Sequence, residues 1–222
     1  VADVDGSGGL DLWLRDGRVV AVVDRSGYVF RPEGIDAKSL EKLASAKKKG
    51  KALASLTGGW PATPNDAIAA IASHALARPL LADLTADDTT ETLRCGLQLG
   101  FDIALANKVP LSGPRAAAAD LTALAPAVGR RLRFEATVGA GLPVMDTYRK
   151  LRDSGDRVEK IEGCFSGTIG FVLTEVGNGR PFSEALRDAM ARGLTEPDPR
   201  SDLSGLDVAR KALILGRLLG FP

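Results

Sequence analysis

A chain of 222 residues is long enough for one large domain or two small ones, each with a substantial core. Its 45% hydrophobic and 26% charged composition is that of an ordinary globular protein, and a net charge of +1 argues against a nucleic-acid or membrane-surface partner. No apolar run approaches the roughly 20 residues of a membrane span, no signal peptide is read, and a lone histidine, His74, argues against a Ser-His-Asp hydrolase or a histidine-ligated zinc site.

In chain order, "VADVD" makes a poor buried strand, and Gly6-Ser7-Gly8-Gly9 lacks the third glycine of a dinucleotide fingerprint, so it reads as a surface loop. The expectation is an α/β, Rossmann-like doubly wound parallel sheet whose first strand and phosphate loop are missing, with both chain ends cut short. "RVVAVVD" (18–24) then stands as the second strand, with Asp24 at its tip where a ribose-binding acid would sit and Arg25 beside it. Aspartate suits the 2′-hydroxyl of NAD; arginine suits the 2′-phosphate of NADP. Further strands are expected at "PLLADLT" (79–85), "FDIALAN" (101–107) and "RLRFEAT" (131–137), continuous apolar runs as for strands buried on both faces.

Between them lie helices starting at Asp36 and ending before Gly50, following Thr63-Pro64, from about Asp88 to Leu99, and over about Pro114 to Val128. "KKKG" (47–50) reads as a solvated helix end. His74, on an alanine-flanked helical stretch, reads as structural. Cys95 and Cys164, in apolar surroundings, read as buried free thiols of a reducing cytoplasm.

From about Gly139 the texture changes to an α+β catalytic and dimerisation region, giving domains at 1–138 and 139–222. A helix over 142–154, a strand at "RVEKIEGCF" (157–165), and helices over 167–177 and 182–192 precede the acid-rich loop "TEPDPRSD". A long helix is then expected from Leu203 to Leu219, with Asp202 capping its first turn. At about 100° per residue, Leu203, Asp207, Lys211, Ile214 and Leu218 share one stripe roughly 80° wide. Arg210 and Arg217 are expected on a solvent edge about 90° or more away. An exposed i,i+4 pair would contribute only about 0.3–0.5 kcal/mol. An acid and a lysine inside an apolar stripe are costly to desolvate unless they face each other or a polar pocket. A lysine so placed suits proton delivery to an alkoxide formed by hydride transfer, with acids holding a cationic substrate group.

"ARGLTEPDPRSDLSGLDVARK", together with "ANK", "FEATVGAGLPV" and "GCFSGTIGFVL", resembles homoserine dehydrogenase. That resemblance, spanning about Val19 to Gly220, implies NAD(P)-dependent interconversion of aspartate 4-semialdehyde and homoserine by a cytoplasmic homodimer with NADP or NAD as cofactor. It implies Lys211 as proton donor, Glu196 and Asp207 as substrate ligands with Asp202 beside them, and Lys108 at the nicotinamide and substrate. It further implies Gly193 and Thr85 at the cofactor, and a sodium site from Glu135 and the carbonyls of Val138, Ala140 and Leu142, oxygen ligands suited to a hard cation. The alternatives are another amino-acid semialdehyde reductase, or a non-catalytic module that keeps the fold without the phosphate cradle.

Overall fold

The computed structural model describes residues 17–195 and 198–221. The "VADVD" stretch, the Gly6–Gly9 loop and Glu196 lie outside the described residues. The chain forms two units: unit 1 runs to Pro110 and resumes over Ala116–Arg133, and unit 2 comprises Leu111–Arg115 and everything from Phe134. The division thus falls five residues earlier than the expected 138/139, and a short excursion at 111–115 belongs with the second unit.

In unit 1, "AVVD" forms β1 (Ala21–Asp24), but it is not a central parallel strand. It turns straight back into β2 (Gly27–Phe30), and β3 (Gly59–Pro61) adds to β2, so that all three pair antiparallel. The turn chemistry explains the reversal. Asp24 Oδ1 accepts the Ser26 amide at 2.7 Å and its hydroxyl at 2.6 Å, an Asx-type turn that fixes the Arg25-Ser26 connection. Gly27 then lets β3 approach: a Cβ there would lie 2.0 Å from the Trp60 carbonyl oxygen.

The parallel sheet is β4 (Leu80–Asp83), β5 (Asp102–Leu105) and β6 (Leu132–Arg133) in that order. β5 comes nearest to the expected doubly buried strand, with Ile103 and Leu105 inside, but Asp102 and Ala104 on its other face are only half-buried. β4 keeps Leu80 60% exposed and buries Asp83 instead. The expected 131–137 strand ends after two residues because the chain winds into a 3-10 turn at Glu135–Thr137.

The helices follow their caps. Asp36 accepts the Ser39 amide at 2.9 Å to start α1 (Ala37–Lys48), and Thr63 accepts the Asp66 amide at 3.2 Å to start α2 (Pro64–Ala72). α3 (Thr90–Gln98) and α5 (Arg115–Ala127) complete the unit, and the short α4 (Val109–Ser112) crosses into the 111–115 excursion. Ile68 and Ile71 of α2 pack with Phe101 against Val23, Tyr28 and Leu81, joining the two sheets in one core. His74 is exposed, its ring 4.5 Å from that of Phe30. Cys95 is half-buried, and burial, with Asp66 nearby, pushes its thiol pKa up. Cys164 is exposed, contrary to expectation.

Unit 2 contains α6 (Val144–Asp153), α7 (Gly167–Gly177), α8 (Phe182–Ala191), α9 (Pro199–Leu203) and α10 (Leu206–Leu218). α7 and α8 pack through Val172, Ala185 and Ala189, with Phe171 and Leu186 at the margin. Residues 157–165 form no strand: Val158, Ile161 and Cys164 recur every third residue and so cannot line one face of a pleat. The expected α+β region is therefore helical among its described residues. The long helix expected from Leu203 is broken at Ser204-Gly205, where Gly205 adopts φ 70° and Ser204 Oγ accepts the Leu206 amide at 3.2 Å. No helix among the described residues is long and apolar enough to cross a membrane.

Since both the carbonyl of Trp60 and the turn before Gly27 are backbone, neither can yield to a side chain. Gly27→Ala is expected to lose roughly 3 kcal/mol of stability in urea unfolding. A loss below about 0.5 kcal/mol would mean the β2–β3 approach is looser than described.

Candidate active site

α10 carries the acid and the lysine of the 203–218 stripe. The break at Gly205 leaves Asp207 in its first turn and Lys211 one turn on. Lys211 Nζ lies 2.6 Å from Asp207 Oδ2 and donates to the Phe165 carbonyl at 2.8 Å. The Lys211 side chain is 22% exposed and Asp207 52%, so the ammonium is mostly covered while the carboxylate faces solvent. An ammonium so covered needs acceptors, and it has two. Phe165 also lines an open cleft of about 390 Å³ with Ile169, Leu173, Val208 and Ala209. Cys164 and Ser166 also line it, but the lining is mostly apolar.

Asp202 is not the cap of α10. It lies inside α9, where it accepts the hydroxyl of buried Thr168 at 3.1 Å. The cap of α9 is Asp198, which accepts the Arg200 amide at 3.0 Å. Thr168 also donates to the Leu194 carbonyl, so α7 holds both the acid-rich loop and α9. Ser166 caps α7, accepting the Ile169 amide at 3.1 Å. Gly193, at φ 68°, follows the C-terminus of α8 and donates to the Met190 carbonyl at 3.0 Å, a helix-ending role.

Arg217 is not on a solvent edge. It donates to the carbonyls of Leu111 at 2.6 Å and Gly113 at 2.8 Å, and its Nε is buried. Counted at about 100° per residue from Leu203, Arg210 and Arg217 fall only about 20–40° outside the apolar stripe, so the wheel itself favoured burial.

Glu135 caps α6 from ten residues upstream. Its two oxygens accept the amides of Met145 at 2.8 Å and Asp146 at 2.9 Å, and Arg149 lies 3.4 Å away. A carboxylate at a helix N-terminus is stabilised by those amides and by the dipole. In the adjoining turn Val138 is buried, Ala140 is left-handed at φ 50°, and the Leu142 carbonyl accepts the Val144 amide at 2.8 Å. A sodium ion here would meet a carboxylate already committed on both oxygens and a guanidinium beside it, so the donor set does not fit the ion as arranged.

In unit 1 the candidates gather at the carboxyl ends of β4 and β5, the edge at which parallel sheets bind ligands. Asp83, 5% exposed, accepts the Thr85 amide at 3.0 Å, the Thr85 hydroxyl at 2.8 Å and the Thr89 hydroxyl. Asn107 Nδ2 donates to the Asp87 carbonyl at 2.7 Å and reaches Asp83 Oδ2 at 3.2 Å. Half-buried Lys108 follows. The Asp83 network was not anticipated; an aspartate ending an apolar run was its only signal. Asp24 pairs with Lys47, which is therefore not a merely solvated helix end. Arg25 is 89% exposed, 4.0 Å from Asp87. Arg25 is thus an exposed cation at a strand tip, beside an aspartate already bonded to Ser26 and Lys47.

A parallel sheet with polar side chains gathered at its carboxyl edge is the build of a Rossmann-like α/β fold. Comparison bears this out. A hyperthermophilic archaeal homoserine dehydrogenase in complex with NADPH superposes with a TM-score of 0.72 at 26% identity, over 92% of this chain and 61% of that one. Residues 143–222 match the family profile for homoserine dehydrogenase. The homoserine dehydrogenase of Paracoccidioides brasiliensis is 38% identical over 173 residues, 74% of this chain and 46% of that protein. The maize chloroplastic bifunctional aspartokinase/homoserine dehydrogenase 1 is 41% identical over 149 residues, 67% of this chain and 16% of that protein. The chain is thus a relative of the homoserine dehydrogenases that spans less than half the length of these curated proteins.

Burial pushes the Asp24 carboxyl pKa up, but hydrogen bonds from Lys47 and Ser26 outweigh it and hold the value below the ordinary 3.8. A depressed carboxyl stabilises the fold above its unfolded-state value and loses that contribution as pH falls through the folded one. Asp24→Asn is expected to flatten the fall in stability below about pH 4. An unchanged acid-unfolding profile would mean that the Lys47 contact contributes nothing.

Proposed function

We propose that the protein is a homoserine dehydrogenase, oxidising the hydroxyl of L-homoserine to aspartate 4-semialdehyde with NADP or NAD, and running the reverse reduction. The observation that carries the reading is Lys211, held at 2.6 Å by Asp207 and 2.8 Å by the Phe165 carbonyl inside the stretch that matches the family. An ammonium has three N–H donors. Among the described residues, two have partners, leaving the third for a substrate oxygen.

In the reducing direction, Lys211 gives a proton to the alkoxide that forms as the carbonyl carbon accepts hydride; in the oxidising direction, the neutral amine takes the hydroxyl proton. The nicotinamide cofactor, when bound, supplies and accepts the hydride. Asp207 aims Lys211, and with Asp202 and Glu196 favours the substrate's α-ammonium. Thr85 and Lys108 belong to the cofactor side, with Gly193 as a backbone contact and Arg25 for the 2′-phosphate. Sodium at the Val138–Leu142 turn has the least support, since Glu135 caps α6, and no step depends on it. The same reading includes a homodimer acting in the cytoplasm, and sedimentation velocity checks the former.

Lys211→Ala in the folded protein is expected to lower kcat for homoserine oxidation about 10²–10⁴-fold with nucleotide affinity retained. Lys211→Arg should not restore the rate, because a guanidinium stays protonated at any working pH. If the alanine variant keeps most of its kcat, the lysine serves only structure.

Arg25→Ala is expected to weaken NADP about tenfold or more while leaving NAD nearly unchanged, the loss of one charge-assisted contact to phosphate. Equal losses for both cofactors in parallel titrations would remove Arg25 from the phosphate subsite.

A further inference from the structure

Asp83 is a buried carboxylate with no role in the mechanism above. A β-ladder does not need a charge at its end, and burying one is costly unless it is well solvated by the protein. Here the solvation comes from four uncharged donors: the amide and hydroxyl of Thr85, the hydroxyl of Thr89 and the amide of Asn107. Those donors come from two different loops. Thr85 and Thr89 belong to the loop after β4, and Asn107 to the loop after β5.

The division between the two oxygens matters. Oδ1 takes both Thr85 groups, while Oδ2 takes Thr89 and Asn107. Asn107 extends the network further, donating to the Asp87 carbonyl at 2.7 Å and accepting the Val109 amide at 3.0 Å through Oδ1. Lys108 therefore stands between a residue bonded to Asp83 and a residue capped by that same side chain. Its backbone is pinned on both sides.

We propose that Asp83 is a positioning residue: one carboxylate sets the loop carrying Thr85 and the backbone of Lys108 in the geometry the nucleotide needs. This rests on the dehydrogenase reading. Asparagine at 83 cannot substitute, because in either orientation its NH₂ faces one of the two donor pairs and leaves it without an acceptor. The hydroxyl of Thr89 is the smaller lever, since serine keeps it and valine removes it at nearly constant shape.

The test measures NADPH affinity by fluorescence titration, kcat and KM for homoserine, and melting temperature, in the full chain and in Asp83→Asn, Thr89→Val and Thr89→Ser. Asp83→Asn is expected to weaken NADPH about tenfold and to lower kcat about 10–100-fold, as misplacement of a reacting group does. Thr89→Val should follow in the same direction by a few-fold, Thr89→Ser should recover, and the Asp83→Asn/Thr89→Val double variant should lose little beyond Asp83→Asn alone. Wild-type affinity and kcat in folded Asp83→Asn would overturn the proposal. So would Thr89→Ser matching Thr89→Val with only the melting temperature reduced. If Asp83→Asn does not fold, the Thr89 pair decides by the same criteria. A wild-type protein that neither binds NADPH nor oxidises homoserine removes the dehydrogenase reading, and this inference with it; one that does both beside unaltered variants removes the inference alone.

Discussion

The lysine at the centre of α10 can be mostly covered only because acceptors wait for it. A desolvated ammonium without partners would cost several kcal/mol or lose its proton. Lys211 avoids both by bonding Asp207 on its own helix and the Phe165 carbonyl just before α7. That second bond spans 46 residues of sequence and ties the reactive helix to the segment leading into the α7–α8 pair. The break at Gly205 belongs to the same arrangement, since it starts α10 one residue before Asp207 rather than continuing from Leu203. With the acid in the first turn, its charge lies at the favourable end of the helix dipole and one turn from the lysine.

Unit 1 uses the same physics in a different place. Its sheet edge is organised by a carboxylate held by uncharged donors: two hydroxyls, a backbone amide and a side-chain amide bond Asp83. A second carboxylate, Asp24, closes the β1–β2 turn and draws Lys47 onto it, leaving Arg25 outward. Buried or half-buried acids thus fix the loops, while the arginine stays exposed. Glu135, capping α6, is a third instance of an acid fixing a chain segment through backbone amides.

Much of this was legible in the sequence. Caps such as Asp36 and Thr63-Pro64 give helix starts because their side chains act on backbone groups within three residues. The Asp207–Lys211 relation follows from helical spacing alone, and survives although the helix begins three residues later than Leu203 suggested. What was not legible depends on partners distant in sequence. The hairpin at β1 needed β3, thirty residues on, to make Gly27 necessary. Arg217 was assigned to solvent although its position on the wheel borders the apolar stripe, and its carbonyl partners lie over 100 residues away. The 157–165 stretch has strand-like residues at a spacing of three, which a pleat cannot use.

The central claim is that Lys211 moves a proton rather than merely bracing α10. Chemical rescue tests it most directly: the Lys211→Ala protein is assayed for homoserine oxidation in the presence of small primary amines of graded basicity. The account predicts that added amine raises the rate, and that the rescued rate tracks amine pKa once size is allowed for, as general acid–base catalysis requires. A rate that stays low with every amine, or rises without regard to basicity, would contradict it.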